Sequence, residues 1–445
     1  MVDEHCLPHY VQSCPVDALG RHVLGGLDLS GVQVSEVELH NVVIGQLRCV
    51  GTTFTGTVRM RGVEIESADF SGARFQAYTA LADVRVRDRM RFLGTSFDRD
   101  VDLSDISCEG TLVLARSTFT GSVDLSGIQA VELDLRRATF HHRVSLQLDD
   151  VGRLGMRRAT FDRGVRISCA SATQVDMIEV DLSGPSTVTA AAETVSRWRM
   201  ENRPVLGRLV GTDLSLLRLS YVDLSRCSFT GAHNLDKLTV DDWHGWGTTP
   251  RSFWVTHRVT LADEHRLRRR ARWALPGDTA EAPSADSVQG DYHALRSMMQ
   301  DRKDQRAASD FYYGEMEVRR MGLWRSLRGR VRNRRWRPAA SSLGEWLLVV
   351  LYWLLSGYGQ RAWRAFTTLG VVVVAASLAL ARWGFPAPAG FGESLRFTMR
   401  SATSVLRETS GDLTPAGDWI ELAVRLIAPL LLALGLLAIR DRVRR

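Results

Sequence analysis

The feature that most constrains the fold is a spacing. From Leu29 onward, large apolar residues recur every five positions, through Val34, Leu39, Ile44, Cys49 and Phe54. A slower beat lies on top of it: Phe54, Phe75, Phe97, Phe119, Phe140 and Phe161 follow one another at a near-constant interval, and Leu182 takes the next place. Each has an apolar residue five positions before it (Cys49, Phe70, Phe92, Leu114, Leu135, Met156), and most are followed by one step of six, to Met60, Leu103, Leu125, Leu146 and Ile167. Five residues of α-helix rotate a side chain by roughly 500°, so successive members fall on different faces and no amphipathic helix carries the pattern. A straight strand fails as well, because an odd step flips the side chain to the other face. The pattern closes only if every five-residue side ends in a corner. Three sides of five and one of six make a coil of about 21 residues, and stacking coils about 4.8 Å apart puts the phenylalanines in one internal ladder. Repetition at this length marks a solenoid.

Units such as Ala68-Asp69-Phe70-Ser71-Gly72, Ala73-Arg74-Phe75, Thr212-Asp213-Leu214-Ser215 and Val222-Asp223-Leu224-Ser225 resemble pentapeptide repeats, in which a small residue and Asp or Asn precede Leu or Phe. The resemblance covers roughly half of the chain and implies a right-handed quadrilateral β-helix. The steps of six depart from the ideal repeat and point to a bulged corner on one edge. The expected fold is therefore mainly β: a pentapeptide-repeat solenoid, followed by an α-helical linker hairpin and a two-span α-helical membrane region.

Residues 1–26 precede the first rung and read as a cap, since an uncapped coil presents a free edge. The solenoid is expected over 27–235, irregular at 184–211 where the period lapses among Pro185, Trp198, Arg199, Met200 and Pro204. Beyond it come a tryptophan-rich connection at 236–274, a flexible linker at 275–290 and a hairpin of two short helices at 291–321. The stretch Asp310-Phe311-Tyr312-Tyr313-Gly314-Glu315-Met316-Glu317 resembles the segment that joins pentapeptide repeats to a membrane region in actinobacterial membrane-anchored proteins. Within 236–274, Glu264 beside His265 suggests acid-base or metal chemistry, but no second ligand stands at i+4. The run Asp263-Glu264-His265-Arg266-Leu267-Arg268 reads as a solvated helix face.

The net charge of +7 is unevenly placed: Leu27 to Leu235 holds 26 acids against 24 arginines, so the excess lies in the C-terminal half. Basic here means arginine, because Lys237 and Lys303 are the only lysines, a bias that a GC-rich genome explains as readily as function does. A near-neutral solenoid disfavours the DNA-like acidic surface with which some pentapeptide-repeat proteins protect topoisomerases. Cys49 and Cys108 fall on inward rungs and Cys227 on the small position before Phe229, as core fillers in a reducing compartment. His5, Cys6, His9 and Cys14 cluster in a spacing that matches no standard zinc motif, so the reading there is a disordered or capping N-terminus. No nucleophile elbow, Walker loop, dinucleotide fingerprint or zinc-protease helix occurs, and neither enzyme activity, catalytic residue, cofactor nor metal is expected.

Nine arginines between Arg319 and Arg337, interleaved with Trp324 and Trp336, open an Arg-rich juxtamembrane and interfacial segment at 322–363. Basic-aromatic mixtures also bind nucleic acid, but this one leads straight into apolar segments, where such charge marks the cytoplasmic side and attracts anionic lipid. Membrane lipid is thus the expected partner, and nucleic acid is not. The membrane region, 364–445, has spans at 365–383 and 419–439, each long enough for a hydrocarbon layer of about 30 Å, around an outer loop at 384–418. Arginines before the first span and after the second place the solenoid and the C-terminus in the cytoplasm, as a multi-pass protein of the cell membrane. The shorter apolar piece Leu343–Leu355 is expected to lie in the interface or re-enter. Glu421 and Arg425, one turn apart, form an intramembrane pair that either acts there or snorkels outward.

In the outer loop, Leu395, Met399, Ala402 and Leu406 have helical spacing, and span, short helix, span is similar to the two-helix pore domain of potassium channels. The filter is where the likeness fails. Its place is taken by Ser401, Ala402, Thr403, Ser404, Val405, Leu406 and Arg407, with no glycine to aim carbonyls inward and a positive charge where cations pass. Ser401, Ala402, Thr403, Ser404 and Arg407 are pore-loop-like candidates without selectivity chemistry. Ser356-Gly357-Tyr358-Gly359 has a filter's letters but precedes the first span. Two functions follow as expectations. One is a membrane-anchored scaffold presenting a rigid cytoplasmic solenoid to an unidentified protein partner. The alternative is a subunit of a nonselective or degenerate two-span channel or transporter, homo-oligomeric, with the solenoid assembling or gating it.

Overall fold

The structure, a computed structural model, describes residues 16, 21–171, 173–192, 203–242, 245–250, 257–268, 273, 281–332, 336–358, 362–386, 390–403 and 413–443. They form two units, Met1–Met298 and Met299–Arg445.

The first unit is a parallel β-solenoid of about ten turns. Strands on successive coils pair in register as one 15-stranded ladder and one 8-stranded ladder, the latter built of two-residue strands from Gln33–Val34 to Asp181–Leu182. In the short ladder Phe54, Phe75, Phe97, Phe119, Phe140, Phe161 and Leu182 pair one above the next. The six rings are buried and stacked, with centroids 4.6 to 5.0 Å apart. Phe70 and Phe92 make a second stack at 4.9 Å. Offset stacking adds to the burial of large rings, so each coil is held chiefly by its two neighbours.

The repeated Asp-Leu/Phe-Ser unit has a local cause. The carboxylates of Asp28, Asp69, Asp102, Asp124, Asp213 and Asp223 each accept the backbone N–H two residues on, at 2.8 to 3.1 Å, which fixes an Asx turn at the corner while the apolar residue between them points inward. Buried Thr52 and Thr95 hydroxyls donate to the carbonyls of Leu29 and Phe70 at 2.7 and 2.8 Å, linking one coil to the one below. The corner itself is left-handed. Along the edge that includes the Asp28 and Asp69 turns it falls on Gly31, Gly51, Gly72 and Gly94, then on Arg116, Arg137, Arg158 and Glu179, and again on Gly211 and Gly231, all with φ between 54° and 76°. The extra residue of the six-residue step brings a further inward set, the buried Val58, Val101, Val123, Val144 and Val165, ahead of Met60, Leu103, Leu125, Leu146 and Ile167. Shifts of register fall elsewhere, within the long strands, as between Ile65 and Ser67.

The lapse in the period is narrower than 184–211. Ser186–Ala190 keeps its place in the ladder, and so does Val205–Val210. What changes is the length of chain between paired positions: the interval from Gln174 to its partner Val205 is about half as long again as the interval from Arg153 to its partner Gln174. The added chain therefore enters between two intact rungs. Pro204 sits just before a strand, where no N–H is needed, and its carbonyl accepts the Asp223 N–H at 2.9 Å.

After the last rung, Thr239–Val240, an antiparallel pair (Gly247–Thr248 with Val259–Thr260) leads into α1 (Ala262–Arg268) and then α2 (Ala285–Asp301). The expected solvated face at 263–268 is overturned: Asp263 and Glu264 are fully buried and His265 nearly so. Arg258 Nη2 lies 2.7 Å from both Glu264 oxygens, Arg268 Nε donates to Oε1 at 2.8 Å, and the buried Tyr292 hydroxyl donates to Oε2 and accepts the Leu261 N–H at 3.1 Å. Burial alone would raise the Glu264 carboxyl, but the two guanidinium groups outweigh it and hold it at about 2. Spacing within one helix missed this because Arg258 precedes the helix and Tyr292 belongs to the next one. Asp263 closes the tube, accepting from the Ser228 hydroxyl at 2.8 Å and the Phe229 N–H at 2.9 Å. The linker at 275–290 is also shorter than read: Ser284 caps α2, its hydroxyl accepting the Ser287 N–H at 3.1 Å.

The second unit contains α3 (Gln305–Arg332), α4 (Trp336–Ser356), α5 (Ala362–Ala379), α6 (Phe391–Thr403) and α7 (Pro415–Val443). Instead of a short hairpin arm, α3 runs 28 residues and takes most of the arginine-rich stretch into one helix. It packs on α4 through Arg319–Glu345 at 2.7 Å, Arg320 over the Trp353 ring and Trp324 against Trp346. Leu343–Leu355 belongs to α4 as an uninterrupted helix. The filter-like letters end that helix: Gly357 and Tyr358 adopt φ of 55° and 59°, and the buried Tyr358 ring lies against Tyr313 and Tyr352 with its hydroxyl donating to Glu317 at 3.3 Å. A π-turn, Leu380–Gly384, extends α5. Two helices, Trp363–Gly384 and Pro415–Leu437, are long and apolar enough to cross a membrane.

Candidate functional site

Two places gather the residues singled out by the sequence: the interior of the helical unit and the surface of the solenoid. In the helical unit, α6 is the organising element. Ser394, Thr398 and Ser401 stand at i, i+4 and i+7 and therefore share one face, which is buried, as is Ser377 of α5. Ser377 Oγ lies 2.7 Å from the Val373 carbonyl and 3.1 Å from Thr398 Oγ1, whose hydroxyl donates to the Ser394 carbonyl at 2.8 Å. Ser401 Oγ donates to Glu421 Oε1 at 3.4 Å, and the same oxygen receives Arg425 Nη2 at 2.6 Å. The Glu421–Arg425 pair thus turns inward against α6, with Glu421 buried.

The apolar stripe read from the loop faces the other way. Met399 is exposed and Leu395 only half-buried, while Ala402 packs on the small cluster Ala376, Val424 and Ala428. Small and polar residues share the α5–α6–α7 interior with Val424 and Leu431, and at one point the backbones approach closely: a Cβ on Gly417 would lie 2.5 Å from the Gly384 carbonyl oxygen. Ser401, Ala402 and Thr403 are the last helical residues of α6, not an extended strand of carbonyls, and Thr403 is exposed with its hydroxyl on the Met399 carbonyl. Ser404 and Arg407 lie outside the described residues, as do His5, Cys6, His9 and Cys14. What the seam can do chemically is pair one carboxylate with one guanidinium and one hydroxyl in a tight interior. That arrangement neutralises the carboxylate in place.

On the solenoid the phenylalanine ladder is wholly internal and leaves the outer faces to polar side chains. Burial, with help from Asp28 and Asp69, pushes the Cys49 thiol up to about 12, and burial alone takes Cys169 to about 11, so these thiols stay protonated and unreactive. Among the described residues no group of three or more His, Cys, Asp or Glu is placed to hold a metal ion. The feature that sequence reasoning missed is a run of exposed arginines on the left-handed corner, Arg116, Arg136, Arg137, Arg157 and Arg158. A signal existed, because 116, 137 and 158 continue the spacing of Gly51, Gly72 and Gly94. Comparison of the chain with protein-family models, with curated proteins and with solved structures finds no match.

Proposed function

We propose that the chain is a membrane-anchored scaffold: a solenoid of the pentapeptide-repeat type, held at the cytoplasmic side of the cell membrane by α5 and α7, that presents its outer faces to a protein partner. The observation that carries this reading is an inversion of polarity in the helical unit. Its interior takes Ser377, Ser394, Thr398, Ser401 and Glu421, while Trp363, Val371, Leu378, Trp419, Leu426 and Leu430 stand exposed. Such a surface is tolerated in lipid and not in water. The solenoid supports the other half, since a filled tube with flat, polar exteriors offers recognition surface and no reactive centre. Cell fractionation tests it: the full chain should resist extraction by alkaline carbonate, and a cysteine placed at Gly411 should react with an impermeant thiol reagent on intact cells. Recovery of the full chain in the soluble fraction would overturn the reading.

A second reading, a homo-oligomeric channel or transporter subunit, is favoured by one observation, the hydroxyl-carboxylate seam among α5, α6 and α7. Its test is ion flux through liposomes holding the purified protein. Flux that Ser401→Val or Glu421→Gln removes would establish it, and no flux from the unaltered protein would exclude it.

A further inference from the structure

The corner ladder of the solenoid changes character halfway along. Four coils turn on Gly31, Gly51, Gly72 and Gly94, and the next three turn on Arg116, Arg137 and Arg158 at φ of 59°, 57° and 57°. Only glycine adopts this region without a steric cost, and strained backbone maintained in consecutive repeats is characteristic of a surface kept for a purpose other than stability. The same coils add Arg136 and Arg157 immediately before two of these corners, and all five side chains are exposed. Corner hydrogen bonds lock them one above another: the Arg116 N–H donates to the Arg136 carbonyl at 2.8 Å, Arg137 to Arg157 at 2.9 Å and Arg158 to Ile178 at 2.8 Å. Stacked like charges repel, and the chain relieves this only in part. Asp134 holds Arg136 at 2.6 Å and Glu179 holds Arg158, whereas Arg116 and Arg137 have no acidic partner among the described residues.

We propose that this arginine corner is a docking edge for an α-helix of a partner protein that carries a stripe of Glu or Asp residues. The inference rests on the scaffold reading above and names its partner by chemistry. Period selects the helix. The stacked rings of Phe119, Phe140 and Phe161 set the rise of these coils at 4.7 and 5.0 Å. Carboxylates at alternate i+3 and i+4 positions of a helix advance about 5.3 Å on average, so three of them stay in step with three coils. An extended strand presents same-face carboxylates about 6.7 Å apart and loses register within two coils. Arginine suits the task, since its planar fork binds carboxylates through two parallel hydrogen bonds.

The test uses the full chain in phosphatidylcholine nanodiscs and a fluorescent synthetic helix of about 20 residues with glutamates at i, i+4, i+7 and i+11. Its control has the same composition with the glutamates spread around the helix. Anisotropy should show the striped helix binding about tenfold more tightly than the control. Combined Arg116→Gly, Arg137→Gly and Arg158→Gly should cost at least about tenfold in affinity while melting at the same temperature or higher, because glycine is what the earlier coils use there. Equal binding of the two helices, or unchanged affinity in the triple variant, would overturn the proposal. So would a triple variant that melts much lower, since the arginines would then be holding the corner itself. Discs in which about a third of the lipid is anionic should leave striped-helix binding intact, and its loss there would assign the edge to the membrane surface instead. The anchoring assay is independent: a failed peptide leaves the scaffold reading standing, and a chain that fractionates as soluble removes that reading even if the peptide binds.

Discussion

The two units use apolar spacing in opposite senses. In the solenoid the recurring residues are the interior, and Phe119, Leu125 and Leu133 are fully buried. In the helical unit the apolar stripe of α6 faces outward at Met399, and Ser394, Thr398 and Ser401 are the interior. Periodicity tells which residues share a face, but not which side of that face the solvent is on. Composition of the remaining face decides it. Asp, Arg and Thr line the outer strands of the solenoid, while the buried faces of α5 to α7 mix hydroxyl and small side chains such as Ser377, Thr398, Ser401 and Ala428 with a few aliphatic ones, Val424 and Leu431 among them, a mixture that suits close helix packing.

The largest test of this contrast is Phe119→Asp, which puts a carboxylate in the middle of a stacked column. It should cost more than about 5 kcal/mol and abolish soluble accumulation of the solenoid, read as loss of cooperative β-type circular dichroism. Normal folding would sink the assignment of inside and outside. Next comes a matched pair. Glu264→Gln strands the buried Arg258 and should cost about 3–5 kcal/mol in thermal unfolding, whereas Glu421→Gln, in the inverted unit, should cost about 1 kcal/mol because alternative hydroxyl partners are at hand. Equal losses would show that the two interiors are electrostatically alike.

A third test is a pH dependence. The Asp291 carboxyl is buried on α2 with Oδ2 lacking a hydrogen-bond partner among the described residues, and burial first, then the neighbouring Asp263 charge, pushes it up to about 8. A carboxyl raised in the folded state contributes stability that is whole below its unfolded value of about 4 and is lost as pH climbs through its folded value. Asp291→Asn should therefore flatten the decline in melting temperature between about pH 4 and pH 8, by about 1–3 kcal/mol across that window. A parallel decline in both proteins would contradict the shift. The smallest expected effect is Arg137→Gly, which should raise the stability of the solenoid by roughly 0.5–1 kcal/mol by relieving the left-handed corner. Destabilisation would mean that the arginine makes a contact worth more than its strain.

These contrasts also mark what could be read in advance. The coil length, the phenylalanine column and the two long apolar helices follow from spacing alone, because each residue's partner lies a constant number of positions away. The network around Glu264 has no such constant, with Arg258 and Tyr292 arriving from different elements, and no periodicity rule reaches it. The arginine corner was hidden by averaging: 26 acids and 24 arginines cancel over the solenoid, but the corner concentrates one sign. The seam on α6 stands in the sequence as Ser394, Thr398 and Ser401 at helical spacing, masked by the apolar residues that share the same period beside them.

The chain between Ala190 and Val205 shows that coil length and tube height are independent quantities. The coil that carries it is about half as long again between paired positions as the coil before it, and the rungs on either side still pair. The solenoid thus behaves like a rack whose shelves keep their levels whatever is threaded at their corners. Sequence inserted between those two rungs, whether a tag, an epitope or a second folded domain, would enter at a fixed level along the tube and leave the neighbouring coils in register.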